Sequence, residues 1–443
     1  MTLSSRYHRA LAASAFFTGL AGDVFRYGIG WAGWGVVVGL IVLLCVIELV
    51  RSRTRLDAVP VALVLFLGVC AASTAWSAYP ALTGLATVVT VATVAVGLFI
   101  ATALDGYGIV RALADAGRWI LGLSLLFEFV VAVFVRQKVL PFFSFCDLSG
   151  DIPRACYWSR DLLFHGGRIQ GIQGNSNLLA IAALIALIAF GVQLAAGMVS
   201  RVAGIFWIGV AVLVLALTRS STVIVAGLAA AVVLVIVLVI RRLSGRARAA
   251  AYGVSAAVVV AGVAGAIVFR APLLALLQKS PDLTNRGQIW KAVVDLAQQR
   301  PAGGWGWATY WMPGVHPFDS DAFVIKGVRY SQAHDAWLDL WLQVGIVGLI
   351  VFALFVLGLL VRSWLAAVDR GAAADSAITA GTRPVAALTI APLLIAVALL
   401  VQSLAESRIL IEGELLLLVI IAITTRSRDL RTFRWLRRGE RGQ

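Results

Sequence analysis

Long apolar runs divided by short polar stretches set the pattern of this chain. Val202–Leu217, Val223–Ile240 and Val385–Val401 are nearly uninterrupted, and each approaches the roughly 17–25 residues that carry a helix across a bilayer core. A helix satisfies its backbone polar groups internally, so such runs predict helices rather than strands. Weighing the runs against their flanking charges predicts about twelve spans, over residues 9–24, 27–49, 58–76, 81–103, 117–137, 177–197, 202–218, 222–240, 250–269, 334–361, 384–404 and 409–425. The expected fold class is therefore all-α, a polytopic membrane protein. Its predicted parts are N-terminal transmembrane helices (1–137), a first extracytoplasmic loop (138–176), central transmembrane helices (177–269), a large extracytoplasmic loop with short interfacial helices (270–333), and C-terminal helices with a basic cytoplasmic tail (334–443). The weak first run, Ala10–Ala21, lacks a small-residue cleavage site and leads straight into further spans, which argues against a cleavable signal peptide.

Composition agrees with the pattern. Of 443 residues 61% are hydrophobic and 13% charged, against about 45–50% and 25% in soluble domains. Collagen-like, disordered and disulfide-rich secreted classes are excluded. The net charge of +15 is placed in clusters between spans: Arg51, Arg53 and Arg55; Arg241, Arg242, Arg246 and Arg248; and a tail from Arg426 to Arg441. Cytoplasmic loops hold such an excess, so the charge implies topology and contact with membrane lipids, not nucleic acid. With twelve spans both termini and all three clusters are cytoplasmic. An eleven-span arrangement would put the Arg51 or the Arg241 cluster outside.

Polar chemistry then has only the two long outer loops to occupy. Cys45 and Cys70 lie in apolar spans and read as small hydrophobes. Cys146 and Cys156 share the first loop, where either a stapling disulfide or two free thiols would fit; their spacing matches no familiar metal-ligand set. In the second loop Thr284 or Asn285 is placed to cap a helix over 286–299, whose stripe of Ile289, Trp290, Val293, Val294 and Leu296 suits a membrane surface. Pro301 stops that helix, and Gly303, Gly304 and Gly306 make a tight turn. His334 stands where the chain re-enters a span.

Arg168, Arg219 and Arg286 are expected near the outer interface. Guanidinium groups grip phosphate oxygens in a fixed, always-charged fork. The glycine turn and helix N-termini would add N–H donors, and His334 can act as a base or bind phosphate. Blander readings stand beside these. An interfacial arginine often snorkels, and a histidine at a span end is often structural. Trp305, Trp307, Trp311, Trp337 and Trp341 suit an aromatic belt, and Glu406 and Glu412 are either site carboxylates or solvated loop charges. Residue types alone leave an enzyme and an anion transporter both open.

The order of motifs resembles the O-antigen ligase and polysaccharide polymerase superfamily of membrane glycosyltransferases. Arg168, Gly171, Asn177 and Ala180 fall as in that family's R-x-x-G…N-P-N-x-L-A pattern. Leu217–Thr218–Arg219–Ser220–Ser221 is similar to its L-T-x-S-R, with the arginine role displaced to Arg219. Asn285–Arg286 with Trp290 matches its loop helix, Pro301–Gly304–Gly306 its P-x-x-G-x-G turn, and His334–Asp335–Leu338 followed by Gly345 and Gly348 its H-N-x-x-L…G-x-x-G. The likeness covers residues 160–365. Asp335 replaces the usual asparagine, adding a charge able to orient or acidify the site.

The resemblance implies a metal-independent, inverting transfer of a glycan, with no cofactor, from a polyprenyl-(pyro)phosphate donor to a glycan or glycolipid acceptor. The site would lie on the extracytoplasmic face of a bacterial plasma (inner) membrane. Arg286, helped by Arg168 and Arg219, would bind the phosphates, and His334 would deprotonate the acceptor or bind phosphate. Asp335, Asn177, Gly304 and Gly306 would support them. The alternative is a transporter or flippase for an anionic solute or lipid-linked glycan. That class calls for charged or broken segments at mid-membrane depth, whereas the predicted span centres are nearly charge-free, Glu128 being the exception. A peptidoglycan-type polymerase is disfavoured by the missing acidic signature loop.

Overall fold

The computed structural model describes residues 3–144, 146, 152–268, 286–312, 314–325, 328–370 and 387–426. Thr284, Asn285 and the basic tail beyond Arg426 lie outside the described residues. Each apolar run forms a helix. The first five are α1 (Leu3–Leu20), α2 (Gly22–Arg51), α3 (Val61–Ala72), α4 (Pro80–Ala103) and α5 (Gly106–Val130). After the first long loop come α6 (Ser176–Ala195), α7 (Arg201–Thr218), α8 (Ser221–Arg241) and α9 (Gly245–Val268). The second loop carries α10 (Arg286–Ala297), and the chain ends in α11 (Ala336–Leu365), α12 (Ala391–Ser403) and α13 (Glu412–Arg426). The strands among the described residues are a two-residue antiparallel pair in the second loop, β1 (Val324–Ile325) against β2 (Val328–Arg329).

Among the described residues seven helical stretches are long and apolar enough to cross a membrane: Gly22–Arg51, Pro80–Ala103, Gly106–Val135, Ser176–Ala195, Arg201–Thr218, Ser221–Arg241 and Ala336–Asp369. Two shorter apolar stretches, Val61–Ala75 and Ala391–Ser403, accompany them. Many of their large apolar side chains point outward, among them Val36 and Leu40 of α2, Val202 of α7 and Leu228 of α8. Water would penalise so much exposed hydrocarbon, whereas acyl chains do not. The protein is a multi-pass helical membrane protein.

The most deeply buried helices are α6 and α13. α6 packs between α5 and α7, while α13 lies against α4 and α1. The α1–α13 contact depends on glycine, since a Cβ on Gly19 would come within 2.9 Å of the Gly413 Cα. Near the end of α5 the buried carboxylate of Glu128 accepts from the Gln170 and Gly171 N–H groups at 2.9 and 2.7 Å and from Ser159 Oγ at 2.8 Å. Glu128 therefore anchors the loop segment that leads to Arg168. In that loop Cys146 and Cys156 form a disulfide.

The second loop folds on a core of its own. Ile289 and Val293 of α10 pack with Trp305, Trp311, Phe318, Phe323 and Leu342. Two expectations are corrected here. Within the α10 stripe Ile289 and Val293 are buried by protein and so turn from any membrane surface, while Trp290, Val294 and Leu296 are half-buried. Trp305, Trp307 and Trp311 are buried and do not form a belt; their rings fill the space under the loop, with Trp307 Nε1 donating to Thr90 Oγ1 at 3.0 Å. Helix α10 also ends two residues earlier than the predicted 299.

Candidate functional site

At one end of the bundle α6, α8, α11 and α13 begin while α7 and α12 end, and polar side chains gather there. Helix N-termini carry a partial positive charge. Asn175 caps α6, accepting from Asn177 N at 2.8 Å. Asp335 caps α11, accepting from the Trp337 and Leu338 N–H groups at 2.9 and 3.0 Å. The cap lets α11 start sharply, and the residue before it, His334, takes a left-handed backbone (φ 53°). Trp290 of α10 holds this turn by donating from Nε1 to the Ala333 carbonyl at 3.0 Å.

At the centre is Glu406, in the short connection between α12 and α13. Its Oε2 lies 2.8 Å from His334 Nδ1. Its Oε1 accepts from Arg286 Nη2 at 3.2 Å and from Asn177 Nδ2 at 3.0 Å. Gln332 Nε2 reaches Oε2 at 3.4 Å. Asn177 then passes the network on, its Oδ1 accepting from Arg168 Nη2 at 2.8 Å and from Ser220 Oγ at 2.9 Å. Arg168 is steadied further by donating from Nε to the Thr218 carbonyl at 3.0 Å.

Burial alone would push the Glu406 carboxyl up, but the neighbouring His334, Arg286 and Asn177 outweigh it and bring it down to about 2. It is therefore an anion at neutral pH. Arg168 is held below its ordinary value, first by burial and then by Arg160, while Glu406 acts in the opposite sense. An anion arriving beside Arg168 would relieve that penalty. Asp335 is raised by burial, against its two cap bonds and Arg286.

Arg286, His334, Arg168 and Asn177, named from the sequence, thus share one network. The others stand differently. Arg219 ends α7 in a left-handed conformation (φ 47°) with its side chain exposed, and the adjacent Ser220 makes the contact to Asn177. Asp335 serves as a helix cap rather than as a partner of the imidazole. Gly304 and Gly306 are not an anion cradle, since the N–H groups of Gly304, Trp305 and Gly306 go to the carbonyls of Arg300, Leu342 and Gln343 at 2.9, 2.9 and 2.8 Å. The turn instead docks at a break in α11, where Gly345 has φ 65° and a Cβ would lie 2.0 Å from the Ala302 oxygen. The carboxylates of Asp319 and Asp321 are exposed.

Sequence reasoning left Glu406 undecided and passed over Gln332. It also missed a second cluster a few residues on. Glu412 accepts from Arg26 Nη2 at 2.6 Å, Arg408 Nη2 at 2.7 Å and the Tyr310 hydroxyl at 2.9 Å. Arg408 also donates to Tyr310, and the Arg26 guanidinium stacks over Trp34 at 4.5 Å. Burial would lower Arg408, yet Glu412 and Tyr310 hold it above its ordinary value. The signal in sequence is the run of charges at Glu406, Arg408, Glu412 and Glu414 between two apolar stretches. Charges at such a place are costly to bury and so are usually paired.

Comparison with known families gives the same direction. Residues 204–353 match the family model described as O-antigen ligase. This part of the chain is similar to the O-antigen ligase family. The matched segment runs from α7 to the middle of α11, and so includes Arg219, Arg286 and His334. Among curated proteins none matches the chain. The family match and the apolar helices together support a membrane enzyme of the glycan-handling kind.

Proposed function

We propose that the protein transfers a glycan from a polyprenyl-(pyro)phosphate donor to a glycan or glycolipid acceptor at the extracytoplasmic face of a bacterial plasma membrane. The reaction is inverting and metal-independent. The chain crosses the membrane about twelve times, with both termini cytoplasmic and residues 270–333 outside. One observation carries the reading: Arg286 of α10 and His334 before α11 meet on a single buried carboxylate, with Arg168 one residue further along the network.

In this reading Arg286 and Arg168, aided by Arg219, grip the donor's phosphates. Charge grows on the phosphate oxygen as its bond to the sugar lengthens, and cations already in position stabilise it without having to reorganise. His334 meets the acceptor hydroxyl or a phosphate oxygen. Asn177 ties Arg168 to Glu406 and holds both arginines in one cleft. The positive ends of α6, α8 and α11 favour an anion in the same place.

The test is release of polyprenyl pyrophosphate by purified protein in nanodiscs supplied with a lipid-linked oligosaccharide and an acceptor. Product glycan with stoichiometric release supports the transferase. No release, together with movement of the intact lipid-linked glycan across proteoliposomes, would replace it by the transporter reading.

A further inference from the structure

Glu406 decides which nitrogen of His334 is free. An ionised carboxylate accepts and cannot donate, so its 2.8 Å contact with Nδ1 requires the ring proton to sit there. Gln332 Nε2 lies 3.5 Å from the same nitrogen, but it too is a donor. Its orientation is set by its own oxygen, which accepts from Ser407 N at 3.3 Å. In the neutral ring Nε2 of His334 then keeps its lone pair. The other carboxylate oxygen meanwhile holds Arg286, the arginine that the proposed reaction needs for phosphate.

We infer that Glu406 is a positioning residue of the transfer: it fixes His334 with the proton on Nδ1, so that Nε2 is the base, and it occupies Arg286 until a phosphate takes its place. This rests on the transferase reading and assigns within it the role of a residue beyond the matched 204–353 segment. In the step itself the acceptor's O–H proton passes to His334 Nε2. The electron pair left on that oxygen forms the new bond to the anomeric carbon. The bond from that carbon to the phosphate oxygen breaks, and its electron pair departs with the phosphate beside Arg286. The resulting imidazolium carries a proton on each nitrogen, and its charge is neutralised by the carboxylate already on Nδ1.

The neutral variant Glu406→Gln makes a sharp prediction. Arg286 and Asn177 are both donors toward one oxygen of residue 406, so the glutamine oxygen turns to them and its NH2 faces His334. That amide can only donate to Nδ1, which forces the proton onto Nε2 and removes the base. Glu406→Asp keeps an accepting group and serves as the conservative control.

The readout is the nitrogen spectrum of protein labelled on its four histidines, in nanodiscs at mildly alkaline pH, with His334 assigned by its loss in His334→Gln. The expected result is a protonated Nδ1 in the wild type and in Glu406→Asp, inverted in Glu406→Gln. A wild-type His334 protonated on Nε2, or a tautomer indifferent to residue 406, overturns the assignment, and the wild-type spectrum alone suffices if Glu406→Gln does not fold. Calorimetry with inorganic pyrophosphate tests the second half: freeing Arg286 of its carboxylate should tighten binding about tenfold in Glu406→Gln. Unchanged or weaker binding refutes the competition. Pyrophosphate binding to neither protein, with the histidine spectra as expected, would remove the phosphate grip and leave the tautomer assignment standing.

Discussion

Two carboxylates six positions apart organise two quite different clusters. Glu412 sits among Arg26, Arg408 and Tyr310, and the side chains of the ion pairs are only 5–9% exposed. Glu406 is as deeply buried at 5%, but its partners Arg286 and His334 are each 18% exposed. At Glu412 two guanidiniums and a phenol close on one carboxylate, with Asp23 adding a second anion 3.2 Å from Arg26. Charge is matched and the cluster ties α2, the second loop and α13 together. At Glu406 one carboxylate faces Arg286 and, through Asn177, Arg168, which leaves positive charge over and an open side. A sealed, neutral cluster is a clasp, whereas an open one with surplus cation is suited to an anionic ligand.

The largest effect expected is on the clasp. Glu412→Ala leaves Arg408 buried without its anion and Arg26 with Asp23 alone, and breaking such a buried pair costs about 3–5 kcal/mol. Thermal unfolding in detergent should show a large loss of stability, and activity should fall with it. A stable Glu412→Ala protein would mean the cluster is wetter than its burial suggests.

The open cluster should behave in the opposite way. Arg286→Ala should lower glycan transfer by roughly 10²–10³-fold, with the unfolding temperature nearly unchanged. Transfer at the wild-type level would refute the role given to Arg286. His334→Ala should cost roughly 10²–10⁴-fold, again without unfolding.

Acid should separate the two properties more gently. Glu406 is depressed from its ordinary 4.5 to about 2 in the folded protein. It therefore contributes stability that is complete above 4.5 and is lost as pH falls towards 2. The unfolding midpoint should decline over that window, and the decline should be shallower in Glu406→Gln. Equal slopes would show that other carboxylates carry the acid response.

The smallest effect is expected at His316, an exposed residue paired with Asp319 at 3.5 Å. His316→Ala should keep wild-type transfer, because its contacts are with Asp319 and Trp305, outside the Glu406 network. Equal loss at His316 and His334 would show that the site has been drawn around the wrong histidine.

Hydropathy alone located the helices, since a bilayer core accepts only segments that are both apolar and internally hydrogen-bonded. It also placed His334 at a helix start and Arg286 at the head of a loop helix, because caps and breakers such as Asp335 and Pro301 act over a few residues. What the tryptophans and glycines of the second loop do was not legible in this way. An apolar stripe reads the same whether lipid or protein covers it, and Gly304 and Gly306 signal a turn without saying what their N–H groups meet. The role of Glu406 was hidden for a deeper reason. Its partners lie 72, 120 and 229 residues away, and a carboxylate becomes a hub or a solvated charge only when folding brings donors to it and takes the water away.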